Sequence, residues 1–246
     1  MKVYKSLGTE VQLAFDINAE NYLKDDIHRG NDVDLICKVG NDLQEKLQRK
    51  IDILYVGVGP GEVLENMLKN GRFYNKIKAI DYSSNMCRLC ASRIEKLGQK
   101  MRNIVTIEKK NLFDLDNCKE SYDMILLLNN TLGNIVVNNS GEEGRISALN
   151  LIHKLLRPSG ILFLTVYNFE KLEIKNNHYT PKLKLLKRNG QDLFFELTLK
   201  GVSHMFYAHW FTIKEVKDLL QNRGFVISDS DIILKEARII AIARRE

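Results

Sequence analysis

Proline and cysteine are scarce in this sequence, and long apolar runs are missing from it. The 246 residues include three prolines and four cysteines, and so few scattered cysteines exclude a disulfide-stabilised scaffold. No stretch approaches the roughly 18 consecutive apolar residues that a membrane-spanning helix needs. The first residues, MKVYKSLGTEVQ, lack the hydrophobic centre of a signal peptide. The sequence therefore predicts a cytoplasmic protein with no membrane partner.

One pair of cysteines has a spacing that is typical of reactive or metal-binding thiols. Cys87 and Cys90 lie in CRLC, which is the spacing of a redox or zinc half-site. The sequence has no second pair of this kind and no histidine near the first, and the surrounding segment has a helical pattern. We therefore expect thiols that pack in the interior, and no metal site.

Positive charge is concentrated in one short segment. The net charge of the chain is +6, and residues 171–188 contain six basic residues and only one acidic residue, Glu173. Such a segment can attract an anionic substrate or a nucleic acid. A solvated strand face in a lysine-rich sequence has the same composition, and this second interpretation is the one we favour.

Strands and helices alternate along most of the chain. After two predicted helices in 9–30 and 32–49, apolar strands are predicted at 51–56, 77–80, 104–108, 122–128 and 160–167, with helices between most of them. Alternation of this kind predicts an α/β fold, a doubly wound and mostly parallel seven-stranded sheet with helices on both faces. The closing strands are expected at 225–228 and 237–243.

The pattern becomes antiparallel after residue 170. Residues 182–200 form two β-type runs joined by Asn189-Gly190, a strong hairpin signal because both turn positions favour a positive φ. A third run follows in 202–211, so a β-meander is predicted after the fifth strand. Thr212 and Glu215 then have the spacing of a capping box, which predicts the start of a helix.

Three glycines follow the first strand in IDILYVGVGPGE. Gly57, Gly59 and Gly61 lie between a buried strand and a helix, where glycine permits a tight turn and a close approach of the backbone to a ligand. A dinucleotide fingerprint would place its third glycine at position 62, which is Glu62. A carboxylate there opposes a phosphate at the helix start, so the motif favours a cationic or zwitterionic ligand.

A carboxylate ends the second predicted strand. Asp81 lies 24 residues after Gly57, at the position from which an acidic side chain accepts hydrogen bonds from a ribose diol. The ligand predicted from the two motifs together therefore contains a ribose.

Together these segments resemble the class I S-adenosylmethionine-dependent methyltransferases, which have a Rossmann-like fold. The resemblance covers about residues 50–170 closely, and 205–243 more loosely. Its motifs are VGVGPGE, AIDYSSNM, KNLFDLD, YDMILLLNNTLGNI, LLRPSGILFLTVYN and the closing NRGF and ARIIAIARRE. It implies S-adenosyl-L-methionine as cofactor. The domain would comprise a helical lid at 1–49, a cofactor-binding core at 50–170, the meander at 171–211 and closing elements at 212–246.

The resemblance also implies a role for each matching residue. The three glycines would flank the methionine part of the cofactor, and Asp81 would bind its ribose. The family usually has an aspartate where this chain has Asn111, which could bond the adenine through its side-chain carbonyl, as Leu112 could through its backbone. The other implied cofactor contacts are Tyr82 and Met86 beside the adenine, and Leu128, Asn129 and Asn130 under the cofactor near the transferable methyl.

Methyl transfer from a sulfonium is an in-line displacement, in which the protein mainly positions and desolvates the reactants. An amine acceptor must be neutral when it attacks, so it needs a proton acceptor or a pocket that lowers its pKa. The candidate catalytic residues are Asn130, Tyr167, Tyr207 and His209. Alternation along a strand places Tyr207 and His209 on one face and His204 with Trp210 on the other; Tyr4 and Tyr22 are further candidates if the first helix is a lid.

The acceptor is predicted partly from motifs that are missing. Enzymes that methylate base amino groups often have two prolines after strand four, and NNTLGN has none, while no cysteine has the neighbouring proline of a cytosine-C5 mechanism. We therefore expect a small-molecule acceptor, with N-methylation favoured over O-methylation and a metal-dependent mechanism not expected. Two alternatives stay open: an RNA or protein methyltransferase that uses residues 171–188, and a non-catalytic cofactor-binding subunit.

Overall fold

A computed structural model of the chain describes residues 7–19, 32–171, 183–199 and 202–246. The helices in this part are α1 Leu7–Asn18, α2 Val33–Leu47, α3 Glu62–Asn70, α4 Ser84–Glu95, α5 Gln99–Arg102, α6 Thr131–Asn134, α7 Gly141–Leu155 and α8 Ile213–Gln221. The strands are β1 Ile51–Val56, β2 Tyr74–Asp81, β3 Val105–Lys109, β4 Tyr122–Leu127, β5 Leu156–Tyr167, β6 Leu183–Asn189, β7 Asp192–Leu199, β8 Val202–His209, β9 Phe225–Val226, β10 Ile232–Lys235 and β11 Arg238–Arg245.

The central sheet has the strand order β10-β11-β5-β4-β1-β2-β3, and β9 also pairs with β11. Strands β1 to β5 run parallel, whereas β11 is antiparallel to β5. One apolar cluster packs α2, α3 and α4 against one face of the sheet, and a second packs α7 and α8 against the other. The predicted fold class, a doubly wound and mostly parallel sheet with helices on both faces, is confirmed.

Among the residues that the structure describes, the sheet has eight strands and not the predicted seven. The additional strand is β10, which pairs with β11, and β9 is shorter than the predicted strand at 225–228. Strand β10 is an edge strand of four residues, and its Leu234 is 55% exposed. Such a short and half-exposed strand carries little periodic signal in the sequence.

Three helices begin at a capping side chain, and the predicted cap at Thr212 is one of them. The side chains of Ser83, Ser140 and Thr212 each accept a hydrogen bond from a backbone N–H in the first turn of α4, α7 and α8, which satisfies a donor that the helix itself cannot pair. Every residue of β4 is buried, as its continuous apolar run predicted. Within the described ranges, no helix is long and apolar enough to cross a membrane.

Strands β6, β7 and β8 form a separate antiparallel sheet, which is the predicted meander. Its first turn differs from the prediction by one residue, because Asn189 pairs with Asp192 and the turn consists of Gly190 and Gln191. Gly190 has φ +58°, and a glycine in the first turn position is typical of one of the two favoured hairpin turns.

A cluster of ion pairs holds the amino-terminal edge of the parallel strands. Arg49 and Arg157 both donate to the carboxylate of Asp123, with N–O distances of 2.6–2.8 Å, and Arg157 also pairs with Asp52 at 2.9 Å. Burial alone would raise the pKa of Asp123, but the hydrogen bonds that it accepts lower the pKa. This cluster connects α2, β1, β4 and β5 at the edge opposite to the one where the motif residues lie.

Candidate active site

The glycine turn after β1 has the conformation that its sequence requires. Gly57, Gly59 and Gly61 have φ values of +67°, +58° and +84°, which are unfavourable for residues with a Cβ. A Cβ at Gly57 would lie 2.7 Å from the side chain of Thr131, and one at Gly61 would lie 2.6 Å from Cys90 Sγ. A Cβ at Gly59 would meet no atom within 4 Å, so Gly59 is the glycine of this turn that faces open space.

Asp81 lies beside this turn at the carboxyl end of β2. Its two carboxylate oxygens accept hydrogen bonds from the backbone N–H groups of Gly59 and Ser83, both at 2.9 Å. Burial raises the pKa of Asp81 to about 6, the two backbone hydrogen bonds oppose this shift, and the nearby Asp16 adds to it. Each oxygen keeps a second acceptor position for a ligand hydroxyl. The structure therefore brings the two predicted motifs into one site.

The residues predicted beside the adenine differ in their exposure. Met86 on α4 and Leu112 are buried, and Tyr82 is half-buried. Asn111 is exposed, and its side-chain oxygen accepts a hydrogen bond from the N–H of Phe113 at 3.1 Å. Its carbonyl therefore already caps the short helical turn that follows it, and Tyr82, which follows Asp81 directly, is the most exposed of the other three.

Asn130 joins the ends of three strands. It has φ +65°, its side chain is fully buried, its Nδ2 donates to the carbonyl of His209, and its Oδ1 accepts the N–H of Tyr167, both at 3.1 Å. Asn129, with φ +52°, donates its N–H to Thr165 Oγ1 at 2.7 Å. The contacts of Asn130 therefore give it a positioning role between β4, β5 and β8, next to the buried Leu128.

The prediction that β8 has two different faces is confirmed. Tyr207 and His209 pair with Phe194 and Asp192 on one face, and this face packs towards α7 and α8. His204 lies on the other face, and Trp210 continues it past the end of the strand. That face packs against α1 and β5.

Tyr207 and His209 belong to a buried polar network. Asp192 Oδ1 accepts from Tyr207 at 2.5 Å and lies 2.7 Å from His209 Nδ1, while His209 Nε2 lies 2.7 Å from Glu215 Oε1. Arg145 on α7 donates to the Tyr207 hydroxyl at 2.9 Å. Burial raises the pKa of Tyr207. This network joins the meander to α7 and α8 and engages the polar side-chain atoms of both residues.

Tyr167 packs against the opposite face of the meander. Its ring is 5.2 Å from that of Trp210, in an apolar cluster whose other members are Leu193, Phe195, Ala208, Phe169 and Phe206. Tyr167 is half-buried and ends β5. Among the four predicted catalytic residues it is therefore the one whose ring lies at the carboxyl edge of the parallel strands.

Helix α1 is bonded at both of its ends. The N–H of Leu7 donates to Asn139 Oδ1 at 2.9 Å, in the segment that follows β4 and α6. At the other end, Asp16 Oδ1 accepts from Ser83 Oγ at 2.7 Å and from the N–H of Asn85 at 3.0 Å, at the start of α4. The two anchors therefore belong to the carboxyl ends of β4 and β2.

The strand order places the glycine turn between these anchors. Because β1 lies between β4 and β2, a helix that joins the loops after β4 and β2 crosses above the turn after β1. Two strand spacings amount to about 10 Å, and a 12-residue helix spans about 18 Å. The ring of Phe15 lies between those of Tyr82 and Phe206, at 6.1 and 5.2 Å, so α1 also connects the meander to the adenine side.

Sequence reasoning missed several residues of this site. Asp16 anchors α1, and Thr131 and Thr165 support the loops after β1 and β4. Asp16 belongs to no motif, and Thr131 and Thr165 lie within motif segments that implied no role for them, so only their partners in space identify them. The candidates Tyr4 and Tyr22 lie outside the described residues.

The CRLC cysteines pack as expected. Cys90 is fully buried, next to Gly61. Burial raises the pKa of Cys87 to about 11 and that of Cys90 to about 12, so both thiols are protonated at neutral pH.

Comparisons with known proteins identify this type of fold. Residues 53–160 match a family model described as a methyltransferase domain. No curated protein sequence matches the chain.

Solved structures match it over nearly its whole length. An amino pentose methyltransferase from Micromonospora echinaspora, with S-adenosylmethionine bound, has a TM-score of 0.62 at 14% identity, over 92% of this chain and 96% of its own. A 1,6-didemethyltoxoflavin-N1-methyltransferase from Burkholderia thailandensis has a TM-score of 0.60 at 18% identity, over 100% of this chain and 92% of its own. The N-methyltransferase NodS from Bradyrhizobium japonicum has a TM-score of 0.58 at 11% identity, over 98% of this chain and 99% of its own. At these identities the similarity establishes a shared fold.

Proposed function

We propose that this chain is an S-adenosylmethionine-dependent methyltransferase that methylates an amino group of a small molecule, because residues 53–160 match the model of a methyltransferase domain and solved methyltransferases share its fold. Three features of its own structure support the cofactor: the open space at Gly59, the buried carboxylate of Asp81 beside it, and the half-buried ring of Tyr82 next to Asp81.

The chain's residues fit S-adenosylmethionine part by part. Gly59 leaves room for the methionine part to approach the backbone, and a ribose diol can donate to the free acceptor positions of Asp81. A carboxylate suits a hydroxyl pair, and the acidic Glu62 in the first turn of α3 opposes a phosphate. These two carboxylates therefore favour a nucleoside with an uncharged ribose and a cationic tail over a dinucleotide.

When bound, the cofactor supplies a methyl group on a positively charged sulfur. The protein then has to hold the acceptor in line with that methyl group and keep water away, and good alignment alone is worth about 7–11 kcal/mol at most. Asn130 fixes the ends of β4, β5 and β8 relative to each other. Tyr167, whose backbone N–H is held by Asn130, is our candidate for direct contact with the acceptor.

The observation that carries the small-molecule proposal is the position of α1. This helix is bonded at both ends across the carboxyl edge of the sheet and packs on β8. A site between the glycine turn, α1 and the meander is bounded on several sides, which suits a compact acceptor better than a folded macromolecule.

The apolar wall around Tyr167 and Trp210 favours an amine. Burial disfavours the charged form of an amine and lowers its pKa, so an amine that packs against these rings binds in its neutral form, having lost its proton to solvent, and needs no dedicated base. Two of the solved structures with this fold are named as N-methyltransferases and a third as an amino pentose methyltransferase, which agrees with this proposal.

Calorimetric titration with S-adenosylmethionine, S-adenosylhomocysteine and NADH tests the proposal first. We expect binding of the two sulfur nucleosides only, and its loss in Asp81→Asn but not in the exposed control Asp116→Asn. Turnover of the isolated chain is then measured as S-adenosylhomocysteine release with amino sugars, amino acids, heteroaromatic amines and matched alcohols. NADH binding alone would contradict the cofactor, and turnover with the alcohols alone would contradict the amine.

One observation favours the polyanion alternative. The outer strand β6 presents Lys184, Lys187 and Arg188 as exposed side chains. If the substrate is a nucleic acid, Lys184→Glu with Lys187→Glu should abolish activity on it, whereas the exposed control Lys214→Glu should not. Unchanged activity in the first variant excludes this alternative.

A further inference from the structure

A second set of polar side chains lies at the same edge of the sheet as Tyr167. Strand β11 is antiparallel to β5, and its first residue, Arg238, is directly opposite Tyr167, so the two side chains share one face of the sheet. Arg238 Nη1 donates to Asp32 Oδ2, just before α2, at 2.6 Å. The two side chains are only 6% and 3% exposed.

This ion pair is only half satisfied. Arginine and carboxylate groups often pair through two parallel hydrogen bonds, but here Asp32 Oδ1 and Arg238 Nη2 are buried without a hydrogen-bond partner among the described residues. Lys235 Nζ lies 3.8 Å from Asp32 Oδ1, which is too far for a hydrogen bond. Asp32 also makes no side-chain hydrogen bond to the first turn of α2. A free donor and a free acceptor therefore lie close together.

The charges around the pair indicate what can bind there. Arg238 and Asp32 neutralise each other, and the adjacent Lys235 and Glu236 also carry opposite charges. Burial raises the pKa of Asp32, and Arg238 and Lys235 oppose that shift. A charged ligand group would add an unbalanced charge in a buried position, which is unfavourable. A neutral group with a carbonyl beside an N–H would satisfy both free atoms without adding charge.

We propose that the Arg238–Asp32 pair anchors the acceptor through a neutral amide or lactam edge, and that the acceptor is planar. Arg238 Nη2 donates to the carbonyl oxygen of that edge, and Asp32 Oδ1 accepts its N–H. A planar acceptor suits the neighbouring aromatic cluster, in which the rings of Tyr167 and Trp210 contact each other with centroids 5.2 Å apart. This substrate class rests on the proposed methyltransferase function and adds a specificity determinant to it.

Trp210 is the only tryptophan of the chain, so its fluorescence reports on this wall. With the protein saturated by S-adenosylhomocysteine, benzamide, benzoate and benzamidine are titrated, since they share one ring and differ in the charge of its substituent. We expect benzamide to bind about tenfold more tightly than either ion, the ratio that one good hydrogen bond supplies. Equal affinities, or tighter binding of benzoate or benzamidine, would overturn the proposal, as would failure of benzamide to bind.

Variants of the Arg238–Asp32 pair distinguish a role in binding the acceptor from a purely structural role. Arg238→Met alone leaves a buried carboxylate and can unfold the chain, so the test uses Asp32→Leu with Arg238→Met, a replacement that buried ion pairs often tolerate. We expect this double variant to bind S-adenosylhomocysteine normally and to lose the benzamide preference, while the control Arg102→Met, at an exposed position on α5, keeps it. A retained preference in the double variant would overturn the anchor. Absence of S-adenosylhomocysteine binding in the unaltered protein would contradict the proposed function instead.

Discussion

Replacing His209 with leucine should destabilise the protein well beyond the loss of one surface contact. Both ring nitrogens face carboxylate oxygens at 2.7 Å, from Asp192 and Glu215, and both can donate only if the ring is positively charged. The side chain is 5% exposed, and those of Asp192 and Glu215 are 32% and 24% exposed. The ring thus bridges two carboxylates that water reaches only in part.

The size of the effect depends on which hydrogen-bond partners each carboxylate retains in the variant. In His209→Leu, Asp192 retains the hydroxyl of Tyr207 and the nearby Arg145, but Glu215 loses its hydrogen-bond partner. Removing one partner of a buried ion pair costs about 3–5 kcal/mol, and the partial exposure of Glu215 favours the lower end, about 3 kcal/mol. For a chain of this size that corresponds to a decrease of about 6–12 °C in Tm.

Urea unfolding followed by circular dichroism measures this change. Glu215→Gln should cost about 1 kcal/mol because the amide keeps a hydrogen bond, and the double variant should cost less than the sum of the single ones because they share one interaction. His153→Leu, at a half-buried histidine on α7, is the matched control, with an expected change below about 1 kcal/mol. Equal destabilisation by both histidine variants, or strict additivity in the cycle, would refute this account.

Three further predictions concern the cofactor site. Because burial raises the pKa of Asp81 to about 6, and a ribose diol needs the carboxylate, calorimetry should show full affinity above pH 6 and a loss of about tenfold per unit below it; a flat profile contradicts this role. Asp16→Ala removes two hydrogen bonds from α1 and should weaken S-adenosylhomocysteine binding about tenfold, whereas Glu10→Ala on the same helix should not; equal effects would exclude the anchor. Gly61→Ala should lower Tm more than Gly59→Ala, because the new Cβ at position 61 would also meet Cys90 at 2.6 Å. Gly59→Ala should mainly lower the affinity for the cofactor. The reverse order of the two Tm changes would show that the roles of the two glycines have been assigned wrongly.

The parts of this fold that were predictable are encoded locally. The strand β4, the glycine turn and the cap at Thr212 each depend on residues within a few positions of one another. The hairpin turn was predicted one residue too early because Asn189 and Gly190 both suit a turn, and only the pairing of Asn189 with Asp192 decides between the two registers.

The rest depends on partners that are distant in sequence. The capping box at Thr212 is only half formed, because the carboxylate of Glu215 bonds His209 instead of the start of its own helix. Arg238 pairs with Asp32 across 206 positions, and no spacing rule can anticipate that. The same holds for Asn130, whose motif position was predicted but whose bond to the His209 carbonyl spans 79 residues.

The two anchored ends of α1 have a consequence for the order of events in a catalytic cycle. A nucleoside that lies between the glycine turn and this helix can leave only after at least one anchor has opened, and such openings are slow compared with side-chain motion. We therefore expect product release to limit steady-state turnover at saturating acceptor. A first turnover faster than those that follow, visible as a pre-steady-state burst, would be the kinetic signature of this helix.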